Sequence, residues 1–319
     1  MNVLLDRRAG MLGRPGGWER YTAELSRGLA GEVAQTPQQA PGSRLSDVVW
    51  EWTVLPQQCR RHDLVHFPAF PPTPTVRSPR LVYTLHDLVW WRFPELLSRG
   101  GKHYYRRLAT AAVERAHVVT VSQAVAEEMR SVLGIEPVAV IPPGVRPPTP
   151  GTTPELRERP YLLTVGAVEP RKNLHRLLAA YQRSGLAGST DLLVVGRPAW
   201  GRLPVGAQHL GAVDDARLDR LYAGATAVVA LSTYEGFGLP VAEALSAGTP
   251  VLCSDIPPFR EVSGGAAQFV DPVDIDAVAA GLRQAAAGEL PAAPIDFADR
   301  WTWQRCVQAH RDLYERLLG

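Results

Sequence analysis

The chain is poor in cysteine: Cys59, Cys253 and Cys306 are the three among 319 residues, far apart and in no C-x-x-C spacing. Neither a disulfide framework nor a zinc site finds the thiols it needs. Excess charge is equally scarce, since 34 Lys+Arg against 32 Asp+Glu leave a formal net charge of +2. No broad basic surface is available to hold a nucleic acid, so any anion must be gripped locally by a few placed groups. Long apolar runs are absent too. Nothing approaches the ~20 residues that span a bilayer, and the run in MNVLLDRR is too short for a signal peptide. The expectation is a cytosolic protein that meets a membrane, if at all, by lying on it from its N-terminal domain. No G-x-G-x-x-G follows a strand, which argues against a dinucleotide oxidoreductase, and G-x-S-x-G, Walker and H-E-x-x-H motifs are missing as well.

What is there is a folded composition, 45% hydrophobic and 21% charged, long enough for two cores. Short apolar runs alternate with helical patterns, the signature of parallel sheets covered by helices. In the first half, strands are predicted at 3–6, 48–55, 64–67, 81–86, 118–122 and 138–141, with helices at 18–30, 102–115 and 124–133. Pro142, Pro143, Pro147, Pro148, Pro150 and Pro154 then deprive the backbone of donors and mark a stiff connection. The second half restarts with strands at 161–165, 192–195, 227–231, 251–254 and 268–270, and helices from Asn173, Asp215, Leu239 and Asp274. The fold class expected is α/β, two doubly wound parallel-sheet domains at 1–148 and 149–300. The stripe Trp303, Val307, His310, Leu313, Tyr314 and Leu317 makes 301–319 a helix that must cover one of them. Two such domains imply a cleft, with ligands at the carboxyl ends of strands.

The sharpest segment is YEGFGLPVAE, from Tyr234 to Glu243. It follows the apolar run 227–231 and opens a helix, so Gly236, Phe237, Gly238 and Leu239 offer backbone N–H groups and a helix dipole to an anion, most naturally a diphosphate. Glu235 and Glu243 bracket that helix end and could clamp vicinal hydroxyls; equally, one could be a charge favoured by the dipole and the other a solvated helix face. EPRKN, at 169–173, follows the strand 161–165 and the turn at Gly166. Lysine occurs only at Lys102 and Lys172, so a sequence that otherwise relies on arginine keeps a compact ammonium at a strand end, beside Arg171. Together they suit a phosphate; the alternative is a pair of exposed cations at a helix start. In the first half, His86 ends the run 81–85 and either faces the cleft or is satisfied by backbone, whereas His66 reads as structural. Gly13, Gly16 and Gly17 precede the helix 18–30 as another N–H cluster.

Two matches are set aside. Asp274-Ile275-Asp276 has a metal-diphosphate spacing, but Asp274 is a natural N-cap. The aromatic and cationic group Trp90, Trp91, Arg92, Phe93, Tyr104, Tyr105, Arg106 and Arg107 could touch lipid or a sugar, though core packing explains the rings more simply.

These residues resemble those of the retaining glycosyltransferases of GT-B architecture, glycosyltransferase family four. The likeness runs through GAVEPRKN (166–173), EGFGLPVAE (235–243), AGTPVLCSDIPPFREV (247–262) and VDPVDIDAVAAGL (270–282), and more loosely through GGWERYTAEL, TLHDLVWWRFPE and VTVSQAVAEEM. The resemblance implies a nucleotide-sugar in the second domain, a sugar-containing or lipid-linked acceptor in the first, and a C-terminal helix crossing back to the first. It implies that Lys172 and Arg171 bind the diphosphate, that Glu235 and the Gly236 to Leu239 backbone hold sugar and phosphate, and that Glu243 binds the ribose. His86 is implied beside the anomeric centre, and Gly17 near the phosphates. No metal or other cofactor is expected, because cations and the helix end would stabilise the leaving diphosphate. Many relatives place an arginine directly after the glycine turn, where this chain has Ala167. TLHDLVWWRFPE is similar to segments of mannosyl- and rhamnosyl-type members, which points to a GDP-mannose-like donor. An epimerase or hydrolase of nucleotide-sugars, or a non-catalytic binder, are the competing readings.

Overall fold

The computed structural model describes residues 1–9, 16–36, 44–94, 99–198 and 206–319, with the side chains of 44–47, 99–103 and 105 left undescribed. Gly13 lies outside these residues. The chain forms two compact units, Met1–Gly144 together with Trp303–Gly319, and Val145–Thr302.

The first unit runs β1 (Val3–Leu5), α1 (Gly17–Gly28), β2 (Ala34–Gln35), α2 (Arg44–Cys59), β3 (Leu64–Phe67) and β4 (Arg80–Leu85). It continues through α3 (Val89–Arg92), α4 (Arg99–Val113), β5 (His117–Thr120), α5 (Gln123–Leu133) and β6 (Ala139–Val140). The six strands pair in the order β2-β1-β3-β4-β5-β6, all parallel. Val3, Leu5, Leu64, Val65, Val82 and Val119 are fully buried, as expected of strands covered on both faces. α5 shows how locally such elements are specified. The Ser122 side chain accepts from the Val125 N–H at its start, and Gly134 in left-handed conformation ends it, the asymmetry that helix ends favour.

One strand expectation is overturned. Residues 48–55 lie inside α2 rather than in the sheet. Their β-branched and aromatic side chains suggest a strand, but β propensity yields to context. Leu55 and Cys59, one helical turn apart, are buried, whereas Val48, Val49 and Val54 are exposed. A crossover is also required here, because β2 and β3 both run parallel to β1. The strand before that crossover, β2, is two residues long and lacks an apolar run.

The second unit runs β7 (Tyr161–Val165), a 3₁₀ turn (Pro170–Lys172), α6 (Leu174–Ser184), β8 (Asp191–Val195), β9 (Gln208–Gly211), α7 (Asp215–Gly224) and β10 (Ala227–Ala230). Then come α8 (Leu239–Ser246), β11 (Val251–Ser254), α9 (Pro257–Ser263), β12 (Gln268–Val270) and α10 (Ile275–Ala286), before α11 (Trp303–Leu318) returns to the first unit. The strand order is β12-β11-β10-β7-β8-β9. Chain order therefore reverses between β7 and β10, the switch point at which doubly wound sheets bind ligands. Leu162, Leu177, Val194, Val229, Leu252 and Leu282 form the buried core beneath it. The polar edge strand β9 and the seven-residue α9, opened by Pro257 and Pro258, carry no periodic signal and were not expected from the sequence.

Candidate active site

At the switch point, the loops after β7 and β10 are tied to each other. The Thr233 N–H donates to the Arg171 carbonyl at 2.8 Å, so the 3₁₀ turn is fixed against the segment preceding the glycine loop. The turn ends in Asn173, whose φ of 57° is the one positive value at a non-glycine among the described residues. Asn173 is fully buried, and its Nδ2 donates to the Pro272 carbonyl at 2.8 Å. That anchor compensates the cost of the left-handed backbone. Arg171 and Lys172 consequently sit ahead of α6 on their own turn, not as exposed cations in its first turn.

Both cations converge on Glu235. Lys172 Nζ lies 2.5 Å from Oε1 and Arg171 Nη1 lies 3.2 Å from Oε2. The Ser232 hydroxyl donates to Oε1 at 2.8 Å, and Arg171 also pairs with Glu169 at 2.7 Å. The Glu235 side chain is 10% exposed. Burial by itself would raise its carboxyl, but Lys172 and Arg171 outweigh it and pull the value down to about 2. Glu235 is therefore an anion throughout the working pH range and cannot serve as a proton donor. Lys172 rests over Gly166: a Cβ there would stand 3.1 Å from the lysine Cε, at a φ of +151° that side chains rarely adopt. Gly166, Lys172, Ser232, Glu235 and Pro240 line one pocket whose inner cavity of about 10 Å³ has room for about one water.

The glycine loop closes the site. Gly236, Phe237 and Gly238 are buried, and Gly238 caps α8 at a φ of +101°. A Cβ at Gly238 would meet the Phe259 ring at 2.8 Å. Gly238→Ala should thus destabilise the protein by roughly 1–3 kcal/mol, read as a lower denaturant midpoint; an unchanged midpoint would mean that the loop is not held as described. The Phe237 ring stands edge-on to Trp301 at 5.3 Å and 90°, so this side chain props the loop, and the position has only its backbone to offer a ligand. Leu239 begins α8, and Pro240 takes a first-turn position where its missing N–H costs nothing.

Glu243 parts company with Glu235. It lies on α8, half-buried, and accepts from the Tyr222 hydroxyl at 2.9 Å. Its field is felt by Arg146, which forks onto Asp219. The two carboxylates of the E-x7-E segment thus face different surroundings, Glu235 between two direct ion pairs and Glu243 against a tyrosine hydroxyl.

His86 and Gly17 belong to the first unit. His86 follows β4 and is half-buried; burial pulls its imidazole down to about 4, against a small opposing effect of its bond to Pro68. Gly17 is the exposed first residue of α1, and Trp18 beside it stacks on the His86 ring. His66 is fully buried between the Tyr314 hydroxyl and Thr84, the structural role read from its position. Trp90 is buried and meets Trp18 edge-on, while Arg92 pairs with Glu128. Asp274 caps α10 through the N–H groups of Asp276 and Ala277.

Sequence reasoning missed Ser232 and Thr233, and gave no role to Glu169 and Asn173 although both lie in the EPRKN segment it singled out. The hydroxyl pair two residues before a loop carboxylate was a usable signal for the first two. Among the described residues no cluster of His, Cys, Asp and Glu has the geometry of a metal site, and no helix is long and apolar enough to cross a membrane.

Comparison with known proteins places both units in one family. Residues 15–147 match the family model described as Glycosyltransferase Family 4, and residues 150–301 match that of Glycosyl transferases group 1. O-antigen chain mannosyltransferase B of Escherichia coli is 35% identical over 175 residues, 49% of this chain and 46% of that protein. O-antigen chain mannosyltransferase RfbU of Salmonella typhimurium is 32% identical over 205 residues, 60% and 56% of the two chains. The chain thus matches about half the length of these relatives. Sucrose-phosphate synthase of Thermosynechococcus elongatus superposes with a TM-score of 0.77 at 18% identity, over 99% of this chain and 98% of that one, which establishes the GT-B fold for the two doubly wound units. With both units matched in turn and the EGFGLPVAE segment at the switch point, the chain belongs to glycosyltransferase family four.

Proposed function

We propose that this chain is a retaining, metal-independent glycosyltransferase that moves a hexose from a nucleoside-diphosphate sugar, GDP-mannose-like, to a hydroxyl of a glycan, lipid-linked or small-molecule acceptor. The observation that carries the reading is the convergence of Lys172, Arg171 and Glu235 at the β7/β10 switch, beside the mouth of α8. Breaking a sugar–phosphate bond develops positive charge at the anomeric carbon and negative charge on the diphosphate. Two fixed cations and a helix N-terminus suit the second, and a permanently ionised carboxylate suits the hydroxyls around the first. Mannosyltransferase names among the relatives support the donor class.

Glycosidase chemistry needs two carboxyls opposed across one bond, one of them an acid, whereas Glu235 is held ionised and Glu243 sits on the helix that the same loop opens. The Glu235 carboxylate is held by Lys172, Arg171 and Ser232 rather than left free to attack the anomeric carbon, so attack on the leaving-group face, with the departing phosphate taking the acceptor's proton, fits best. In this reading Glu243 binds the ribose, while His86 and Gly17 are the first unit's contributions to sugar and phosphates.

A thermal-shift series of nucleoside diphosphates and their sugars, run with chelator present, tests the proposal. At least one should raise the midpoint, by about 3 kcal/mol of stabilisation at a hundredfold excess over Kd. Lys172→Ala should abolish the shift. Stabilisation that appears only when a divalent ion is restored would refute metal independence, and none at all would refute the donor site. Turnover of the donor without acceptor would indicate an epimerase or hydrolase instead.

A further inference from the structure

Three neighbours fix the ring of His86. Trp18 stacks on it with centroids 5.9 Å apart at 27°, Tyr21 meets it edge-on at 4.8 Å and 89°, and Nε2 lies 2.7 Å from the Pro68 carbonyl. A carbonyl can only accept, so the proton sits on Nε2 and Nδ1 keeps its lone pair. Tyr21 is itself held. Its hydroxyl lies 3.1 Å from His310 Nε2 in α11, and His310 Nδ1 lies 2.8 Å from the Cys306 carbonyl. The same reasoning puts the His310 proton on Nδ1, so Nε2 accepts and the Tyr21 hydroxyl donates. Tyr21 is 1% exposed and His310 0%. Packing alone would be served by phenylalanine and leucine at these positions, without polar atoms to satisfy in the interior.

We infer that Tyr21, latched by His310 of the C-terminal helix, is a positioning residue for His86, holding its Nδ1 lone pair as a fixed acceptor for a hydroxyl of the reacting sugars. What that lone pair meets rests on the transferase reading; the latch does not. α11 covers the first unit, and through one hydroxyl it also sets the orientation of the His86 imidazole. The Trp18 face, the edge of Tyr21 and the Pro68 carbonyl restrain the ring from three directions, so loosening Tyr21 removes one of the three restraints and widens the range of orientations the ring samples.

Two variants of the full chain, Tyr21→Phe and Tyr21→Leu, separate latch from packing. The first keeps the ring and loses the hydroxyl; the second also removes the edge contact. Imidazole ¹⁵N spectra, with the His86 lines assigned by their loss in His86→Gln, should show one resolved protonated Nε2 and one unprotonated Nδ1 in the wild type, moving towards averaged values in Tyr21→Leu and by a smaller step in Tyr21→Phe. With the sugar donor that stabilises the protein, kcat should fall about tenfold in Tyr21→Leu with donor KM within twofold and nucleoside diphosphate affinity unchanged. Unchanged His86 lines in both folded variants would overturn the inference, as would kcat and KM that worsen together in step with stability. Should no donor be turned over by the wild type, the transferase reading falls, and the spectra still decide the latch.

Discussion

Replacing Glu235 by alanine should reduce sugar transfer by roughly a hundredfold or more and at the same time tighten the binding of a nucleoside diphosphate. In the free protein, Lys172 and Arg171 pair with this carboxylate at 2.5 and 3.2 Å, Arg171 sharing itself with Glu169 at 2.7 Å. A diphosphate has to draw them away or bind over them. Charge-assisted hydrogen bonds of this kind contribute about 1.5–3 kcal/mol each, so relieving the competition should lower Kd by about tenfold or more by calorimetry. The protein without ligand should be less stable by roughly 1–3 kcal/mol, because the largely buried Lys172 loses its partner while Arg171 keeps Glu169. The thermal shift on adding the diphosphate should accordingly exceed that of the wild type. Weaker diphosphate binding in Glu235→Ala would show that the carboxylate organises the cations rather than competing with the ligand for them.

Acid should destabilise this protein well before its carboxylates titrate. His66 and His310 are fully buried, stacked with centroids 5.4 Å apart, and neutral. Burial pulls His310 down to about 4 and His66 well below its ordinary value, with His310 and His86 as further causes for His66. The groups facing the pair are Tyr21, Tyr314, Thr84 and the Cys306 thiol, none of which supplies a negative charge near neutrality. In the unfolded chain both histidines take up a proton near the ordinary value of 6.5, while in the folded state they do not until much lower pH. The unfolded state therefore binds more protons, and stability falls as pH falls from about 6.5 towards 4. His310 alone accounts for about 3 kcal/mol of loss by pH 4, at about 1.4 kcal/mol for each pH unit separating its folded and unfolded titrations. Urea midpoints at pH 8, 7 and 5 should be flat over the first interval and drop over the second. His310→Gln, less stable at neutral pH, should show a shallower decline. Equal midpoints at pH 7 and 5 in the wild type would contradict the burial and neutrality of the pair.

The alternation of apolar runs and helical stripes, the proline-rich passage after residue 141, and the strand–glycine–helix order around Gly236 are local properties. The sequence by itself therefore determined two doubly wound units and put chemistry at the ends of 161–165 and 227–231. The rarity of lysine singled out Lys172 for the same reason, since composition is visible without coordinates. Local patterns could not say that 48–55 is helical, because β-branched and aromatic residues suit either state until burial chooses a face. Nor could they say that Lys172 would meet Glu235, 63 residues away, while Glu243 would turn to Tyr222. Only the tertiary structure decided those partners, because it makes β7 and β10 neighbours and so brings two loops remote in sequence within hydrogen-bonding distance. The bond from Tyr21 to His310, 289 residues away, has the same origin. A buried polar group takes whatever partner the packing of helix on sheet supplies, and that packing is long-range.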